Sequence, residues 1–214
     1  MSMSFYYLRD QDFRSTLKTH LSKQAFVLND PRCLVIDELG LCQGSARIDV
    51  AVLNGKVHGY EIKSDMDTLE RVESQLSVYI KIFDHLTFVV GEKHRVNIEE
   101  KIPDWCGISM VFRNGKDEIK LKQIRRAKRN KNVDPYSLVQ LLWKDEAIAL
   151  LRQFGNSGGL QNKSRKVLWE RLATDVPSPQ LNKYIRETLK SRKDWRAGDG
   201  LRSSGDLLQL YAKS

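Results

Sequence analysis

The stretch Arg47 to Lys63, RIDVAVLNGKVHGYEIK, constrains this chain more than any other. Ile48, Val50 and Val52 alternate with Asp49 and Ala51, the period of two expected of a half-buried strand. Asn54-Gly55 is a strong hairpin signal, because both residues tolerate positive φ. Residues 47–53 and 56–63 therefore read as a β-hairpin carrying Asp49, Glu61 and Lys63. In a plain two-residue hairpin Leu53 faces Lys56 and Asp49 faces Tyr60. Glu61 and Lys63 would then point away from Asp49. For the three to meet, the register must be one residue longer. A three-residue loop with Gly55 left-handed supplies that, and so does a bulge at Gly59. The expectation is a hairpin out of plain register.

The rest of the chain reads as alternating helices and strands. Phe13, Leu17 and Leu21 repeat at i, i+4, i+8 and predict a helix over 9–23, with Asp10 and Asp12 near its positive end. Leu34 to Ile36 reads as a short strand running into a turn at Asp37-Glu38-Leu39-Gly40. After the hairpin, Asp67 and Glu70 have capping-box spacing, and Leu69, Val72, Leu76, Ile80 and Phe83 predict an amphipathic helix over 68–84. Gln75 and Tyr79 fall on one side of it. Leu86 to Val90 is an apolar strand, and strand–helix–strand suggests a right-handed crossover in a mixed sheet. His94 reads as a solvated loop histidine, with a general-base role as the competing reading. Gly107 to Phe112 and Glu118 to Arg126 are further strands, the latter a basic edge whose lysines also deter aggregation.

Asp134-Pro135 opens a second region. Leu138 to Leu151 predict one helix ending near Gly155, Ser164 caps another, and Ser178-Pro179 starts a third. Ala197 to Gly205 reads as a loose tail with a last apolar turn, Leu207 to Tyr211. Of the tryptophans, Trp105 and Trp195 are candidates to stack bases, whereas Trp143 and Trp169 sit in apolar helical patterns that favour the core.

Charge is unevenly placed. The chain carries net charge +9; residues 1–112 are −3, residues 113–131 are +7 and residues 132–214 are +5. An acidic site beside a positive surface suits a cation together with a phosphate-bearing partner. Three cysteines, with no C-x-x-C pair and an odd count, read as reduced thiols of a cytoplasmic protein. The N-terminus lacks a signal-peptide pattern, and no apolar run is long enough to span a membrane.

Asp49 and Glu61 can each give an oxygen to Mg²⁺ or Mn²⁺, with the Ile62 backbone carbonyl as a further ligand and Glu38 as an additional candidate. Lys63 shares the face of Glu61 and can orient a water or stabilise charge developing on a phosphate. Taken alone, an acid and a lysine two apart are common on any solvated sheet face.

Asp49, Glu61-Ile62-Lys63 and the helix carrying Gln75-x-x-x-Tyr79 resemble the PD-(D/E)XK nuclease superfamily. The Q-x-x-x-Y spacing looks like the helix motif of its RecB-like nucleases. The blocks ELG…RIDVAV, GYEIKSDMDTLERVESQLSVY and LLWKDEAIALL are similar to a bacterial family of mostly uncharacterised proteins placed there. The resemblance implies an α/β fold with a central mixed β-sheet flanked by helices, restriction-endonuclease-like, over residues 1–131. It implies Asp49 and Glu61 as metal ligands, Lys63 as the catalytic lysine, and Gln75 and Tyr79 as accessory catalytic residues. Residue 48 is isoleucine where the motif's name has proline, and the superfamily's acid on the first helix has competing counterparts in Asp10, Asp12 and Glu38, of which Glu38 is favoured.

Residues 132–214 are expected to form a basic all-α region. Its helix, glycine-containing loop and Lys163-Ser-Arg-Lys166 look like a SAP-type DNA-binding module; a helical bundle that only packs on the sheet is the alternative. Lys163, Arg165 and Lys166, with Arg125 and Arg126 of the basic edge, are the candidate nucleic-acid contacts. The expected function is a divalent-metal-dependent nuclease, acting on DNA in repair or defence. The alternative is a catalytically silent DNA-binding or complex-assembly protein of the same fold.

Overall fold

A computed structural model describes residues 7–30, 32–156 and 158–192, and the backbone of 201–202. The chain is α/β. Strands β1 (Leu34–Leu41), β2 (Ala46–Leu53), β3 (Val57–Lys63), β4 (His85–Val90), β5 (Gly107–Arg113) and β6 (Ile119–Arg125) form one mixed sheet in the order β6-β5-β4-β3-β2-β1. A two-residue strand, β7 (Leu201–Arg202), adds to the outer edge of β1. β3, β4 and β5 run parallel to one another, and the other pairings are antiparallel.

Helices cover both faces. On one lies α1 (Asp10–Ser22), followed by a short α2 (Ala25–Leu28). The Asp12 carboxylate accepts the Arg9 N–H at 2.8 Å and closes the first turn of α1. Its Phe13, Leu17 and Leu21 are almost fully buried against Val50, Val52, Tyr60, Ile62 and Val89. Each such side chain stabilises the fold by about 1.5–3 kcal/mol. On the other face lie α3 (Val72–Tyr79), α4 (Arg95–Lys101), α5 (Pro135–Val139), α6 (Lys144–Gln153), α7 (Arg165–Asp175) and α8 (Ser178–Ser191). Their apolar residues form one continuous core with Ile36, Ala51, Leu53, Phe88 and Ile108 of the sheet. The helical C-terminal region is thus built onto the sheet. The joining segment is pinned as well: the Asn130 side chain donates to the carbonyls of Ile80 (2.6 Å) and Phe83 (2.9 Å), and the Asp134 N–H donates to Lys81 O at 2.8 Å.

The hairpin has the longer register. Leu53 pairs with Val57 and Val50 with Tyr60, so 54–56 form a three-residue loop in which Gly55 has φ +104. The ladder runs unbroken past Gly59, so the loop alone supplies the extra residue.

Other expectations need correction. Residues 37–40 are not a turn: β1 continues to Leu41, and the turn-like chemistry is a left-handed residue, Glu38 (φ 55), inside the strand. Such a conformation costs a non-glycine residue roughly 1–2 kcal/mol. Its effect is visible in the packing. Ile36 and Leu39, and likewise Ile48 and Ala51, are three apart yet share one core, so both strands slip phase at Glu38 and Asp49. The predicted helix 68–84 is only Val72–Tyr79, because Asp67 closes a turn with Ser64 instead of capping a helix. The single helix expected over 138–155 is two. Asp134 caps α5 through the Ser137 N–H (2.8 Å), and Glu146 reaches back to the Trp143 N–H (2.7 Å) to start α6. Helix α4 was not anticipated at all. Most of the predicted tail, with Trp195 and the turn Leu207 to Tyr211, lies outside the described residues.

The three cysteines are free thiols. Among the described residues no helix is long and apolar enough to cross a membrane.

Candidate functional site

The sheet opens where β2 and β3 diverge. The last paired residues are Val50 and Tyr60. Beyond them the Asp49 side chain enters the gap, and its Oδ2 accepts the Ile62 N–H at 2.7 Å. A strand residue directs its N–H and C=O to the same neighbour. The Ile62 carbonyl therefore also faces the β2 side, while the next carbonyl, of Lys63, accepts the Gly91 N–H at 3.1 Å beyond the end of β4. Ile62 lines a cleft of about 340 Å³ there, together with Glu38, Asp49, Glu61, Lys63 and Gln75.

Glu61 and Lys63 are 2% and 5% exposed, so their charges must be satisfied internally. Lys63 Nζ donates to Glu61 Oε1 at 2.8 Å and to Gln75 Oε1 at 3.0 Å. Gln75 Nε2 donates to the same Glu61 oxygen at 2.7 Å. Tyr79 holds the other oxygen, its hydroxyl 2.7 Å from Glu61 Oε2 and 2.8 Å from the Arg47 carbonyl. Burial, then the neighbouring Glu61 charge, pushes the Tyr79 phenol well above its usual pKa, so it remains a donor. The spacing of Gln75 and Tyr79 on α3 brings both to one carboxylate, Gln75 also reaching the Tyr79 oxygen at 3.3 Å.

Asp49 has a different environment. Burial first, then the charge of Glu61, pushes its carboxyl up to about 7, against the pull of the Ile62 N–H and Arg14. Arg14, from the first helix, donates to Asp49 Oδ1 at 2.6 Å and to the Asp49 carbonyl at 3.1 Å. The same guanidinium pairs with Glu38 and with Asp10 (2.7 Å), and Arg47 pairs with Glu38 at 2.7 Å. Glu38 is thus joined to the site through Arg14; Asp10 also lines the cleft, whereas Asp12 is turned to its capping contact.

Two local devices hold the strand end. The Asp67 carboxylate accepts from the Ser64 N–H (2.7 Å) and hydroxyl (2.6 Å), fixing the chain just after Lys63. Gly91 allows Asp65 to lie across the end of β4, since a Cβ there would come within 2.0 Å of Asp65 Oδ1. His94, expected in solvent, is buried, and its Nε2 sits 3.0 Å from the Asp67 carbonyl.

Asp49, Glu61, Ile62 and Lys63, with Gln75 and Tyr79, thus come together, as the sequence requires of a joint site. The basic residues do not join them. Lys163, Arg165 and Lys166 are exposed at the start of α7, where Arg165 lies over the Trp169 ring and Lys166 is 4.0 Å from Glu170. Arg126 is exposed, but Arg125 is engaged in structure, donating to Cys106 O (2.8 Å) and Pro103 O (3.3 Å). Of the tryptophans, Trp169 is core and Trp143 is half-buried under the Arg192 guanidinium at 4.2 Å. Sequence reasoning missed Arg14, which lies 35 residues from Asp49 and has no spacing signature; Arg47 and Arg71, which line the cleft, were also missed.

Oxygen donors of this kind suit a hard divalent cation. Among the described residues no group of three or more His, Cys, Asp or Glu side chains is arranged to hold a metal. The donor set is two carboxylates and a carbonyl, with Arg14 occupying one Asp49 oxygen.

Comparison with known proteins gives a family. The "SPO1766 protein of unknown function" from Silicibacter pomeroyi matches with a TM-score of 0.39 and 20% identity, over 67% of this chain and 94% of that one. Protein cII of Enterobacteria phage P4 is 25% identical over 194 residues, 91% of this chain and 71% of that protein. Residues 3–198 match the family model described as bacteriophage P4 protein cII. The chain belongs to the bacteriophage P4 protein cII family.

Proposed function

We propose that this protein is a divalent-metal-dependent nuclease of the PD-(D/E)XK superfamily, with a restriction-endonuclease-like sheet, that hydrolyses phosphodiester bonds in DNA. The observation that carries the reading is the convergence of Asp49, Glu61, Lys63 and Gln75 on one cleft, with buried Tyr79 holding Glu61 from behind. Their donor chemistry fits Mg²⁺ or Mn²⁺, held by Asp49, Glu61 and the Ile62 carbonyl. Such a cation supplies a water of lowered pKa and neutralises phosphate oxygens.

The chain's own residues do the rest. Gln75 and Tyr79 hold the Glu61 carboxylate in one orientation, and Lys63 presents its ammonium beside it, where negative charge develops on a phosphate. Arg47 and Arg71 line the cleft and can meet flanking phosphates. Arg14 pairs with Asp49 and Glu38, and would have to leave Asp49 for that carboxylate to hold a cation. Residues 132–214 act as a SAP-like DNA-binding part through Lys163, Arg165 and Lys166, with Arg126 on the sheet edge contributing. The protein works in the cytoplasm, on repair of DNA or defence against it.

A second reading is favoured by one observation: Arg14 and Lys63 already pair with Asp49 and Glu61. On that reading the protein binds DNA or assembles complexes without cutting. Purified protein with supercoiled, linear and branched DNA in Mn²⁺ separates the two. Cleavage by wild type and its loss in Asp49→Ala and Lys63→Ala support the nuclease. Equal residual cleavage in all three leaves only the silent protein.

A further inference from the structure

A second cleft, of about 330 Å³, lies under the other end of α1. It shares no residue with the acid-lined cleft, and only Arg126 with the proposed DNA-binding surface. Its floor is a row of neutral polar side chains on the α1 face of the sheet: His58, Tyr60, His85, Thr87 and Ser109. His58 stacks on Tyr60 with centroids 4.2 Å apart, and its Nε2 sits 2.8 Å from Thr87 Oγ1. Leu17, Leu21, Phe26, Val52 and Leu121 give it an apolar wall. Lys56 and Arg126 stand at its edge. Among the described residues no carboxylate lines it. Asp84, beside His85, is turned to the Val57 N–H at 2.8 Å.

Three observations point to a ligand. First, the Lys56 and Arg126 side chains make no ion pair or hydrogen bond among the described residues, and their charges, with that of Arg129, reach His85. Second, His85 Nδ1 and Asn54 Oδ1 are buried at this cleft with no partner. An unsatisfied buried polar atom costs about 1–3 kcal/mol. Third, burial and neighbouring positive charge hold the His58 and His85 imidazoles below their usual pKa, so each is neutral; both His58 nitrogens are engaged, by Thr87 Oγ1 and the Tyr60 hydroxyl, and His85 keeps its N–H to donate.

We infer that this cleft binds a phosphate monoester. Two cationic side chains match the charge of a dianion, and the hydroxyls of Thr87 and Ser109 with the His85 imidazole offer donors to its oxygens, the His58 N–H being given to Thr87 Oγ1. The apolar wall takes the body attached to it. The ester is either a free nucleotide or the phosphorylated end of a nucleic-acid strand.

The test is calorimetric titration of the full chain, in chelator to exclude divalent cations. The probes are a nucleoside 5′-monophosphate, a 5′-phosphorylated oligonucleotide and the same oligonucleotide with a 5′-hydroxyl. Variants are Lys56→Ala/Arg126→Ala and, as a control of equal charge loss on the opposite face of β6, Lys120→Ala/Lys122→Ala. The expected result is binding that needs the phosphate and weakens about tenfold or more in the first variant only, as loss of two charged contacts requires. Tighter binding of the phosphorylated oligonucleotide than of the monophosphate assigns the strand end; equal binding assigns the free nucleotide. Absence of phosphate-dependent binding, or equal weakening in the two variants, overturns the inference.

Discussion

Helix α1 reaches both clefts, Asp10 at one end and His20 at the other, about 15 Å apart along the helix. One cleft gathers Asp10, Glu38, Asp49, Glu61 and Asp67; the other is lined by no carboxylate among the described residues. Both are cut into the same sheet. The difference arises from strand geometry. At the first, β2 and β3 part, leaving backbone and carboxylates facing a gap. At the second the strands stay paired, and the cleft is lined by side chains alternating onto one face. A parted sheet offers ligands to a cation, whereas a paired one offers neutral donors to an anion.

The sharpest way to break that contrast is through Lys63. Lys63→Ala is expected to lower Mn²⁺-dependent cleavage of supercoiled DNA on the order of 10²–10³-fold, as removal of a charge-stabilising donor does. Cleavage kept within a few-fold of wild type would remove the acid-lined cleft from the chemistry.

The two clefts should also respond to pH with opposite sign. In the fold Asp49 titrates at about 7 in place of 3.8, so it stays protonated where the unfolded chain has ionised, and stability falls as pH rises from 4 to 7. The loss is a few kcal/mol. Asp49→Asn should flatten it, and Mn²⁺ should restore stability to wild type at pH 8. His58 titrates at about 3 in place of 6.5, so the unfolded chain takes up a proton that the fold refuses. Stability then falls as pH drops from 6.5 towards 3. Because His58 keeps some exposed surface, about 2–3 kcal/mol by pH 4 is expected, and His58→Gln should remove it. Urea unfolding across pH 4–8 measures both slopes.

Tyr79→Phe is a smaller change. It removes the single O–H that lies between Glu61 Oε2 and the Arg47 carbonyl, at about 1–3 kcal/mol in denaturant unfolding. No loss would mean that the clamp on Glu61 is redundant. Smallest is Lys163→Ala/Lys166→Ala, which should reduce the slope of log affinity for DNA against log salt by about 2. An unchanged slope would show that α7 does not touch the phosphates.

Legibility in the sequence followed range. The hairpin's extra residue could be argued from Asn54-Gly55 and the need for Asp49 to meet Glu61, because register is local. Gln75 and Tyr79 were legible because i, i+4 spacing on a helix fixes a shared side. Arg14 was not, since its partners Asp49 and Glu38 come from the sheet and only packing of α1 brings them near. The left-handed Glu38 looked like a turn because acidic residues followed by glycine usually make one; pairing with β2 carried the strand through instead. The helix expected over 138–155 broke because two caps, at Asp134 and Glu146, compete within one apolar pattern.

The central claim is that Asp49, Glu61 and the Ile62 carbonyl hold a divalent cation. Anomalous scattering from a Mn²⁺-soaked crystal tests it directly. The expected result is a peak between Asp49 and Glu61, within about 2.0–2.3 Å of their oxygens, with the Arg14 guanidinium withdrawn from Asp49. Arg14 still on Asp49 and no peak there at saturating Mn²⁺ would contradict it.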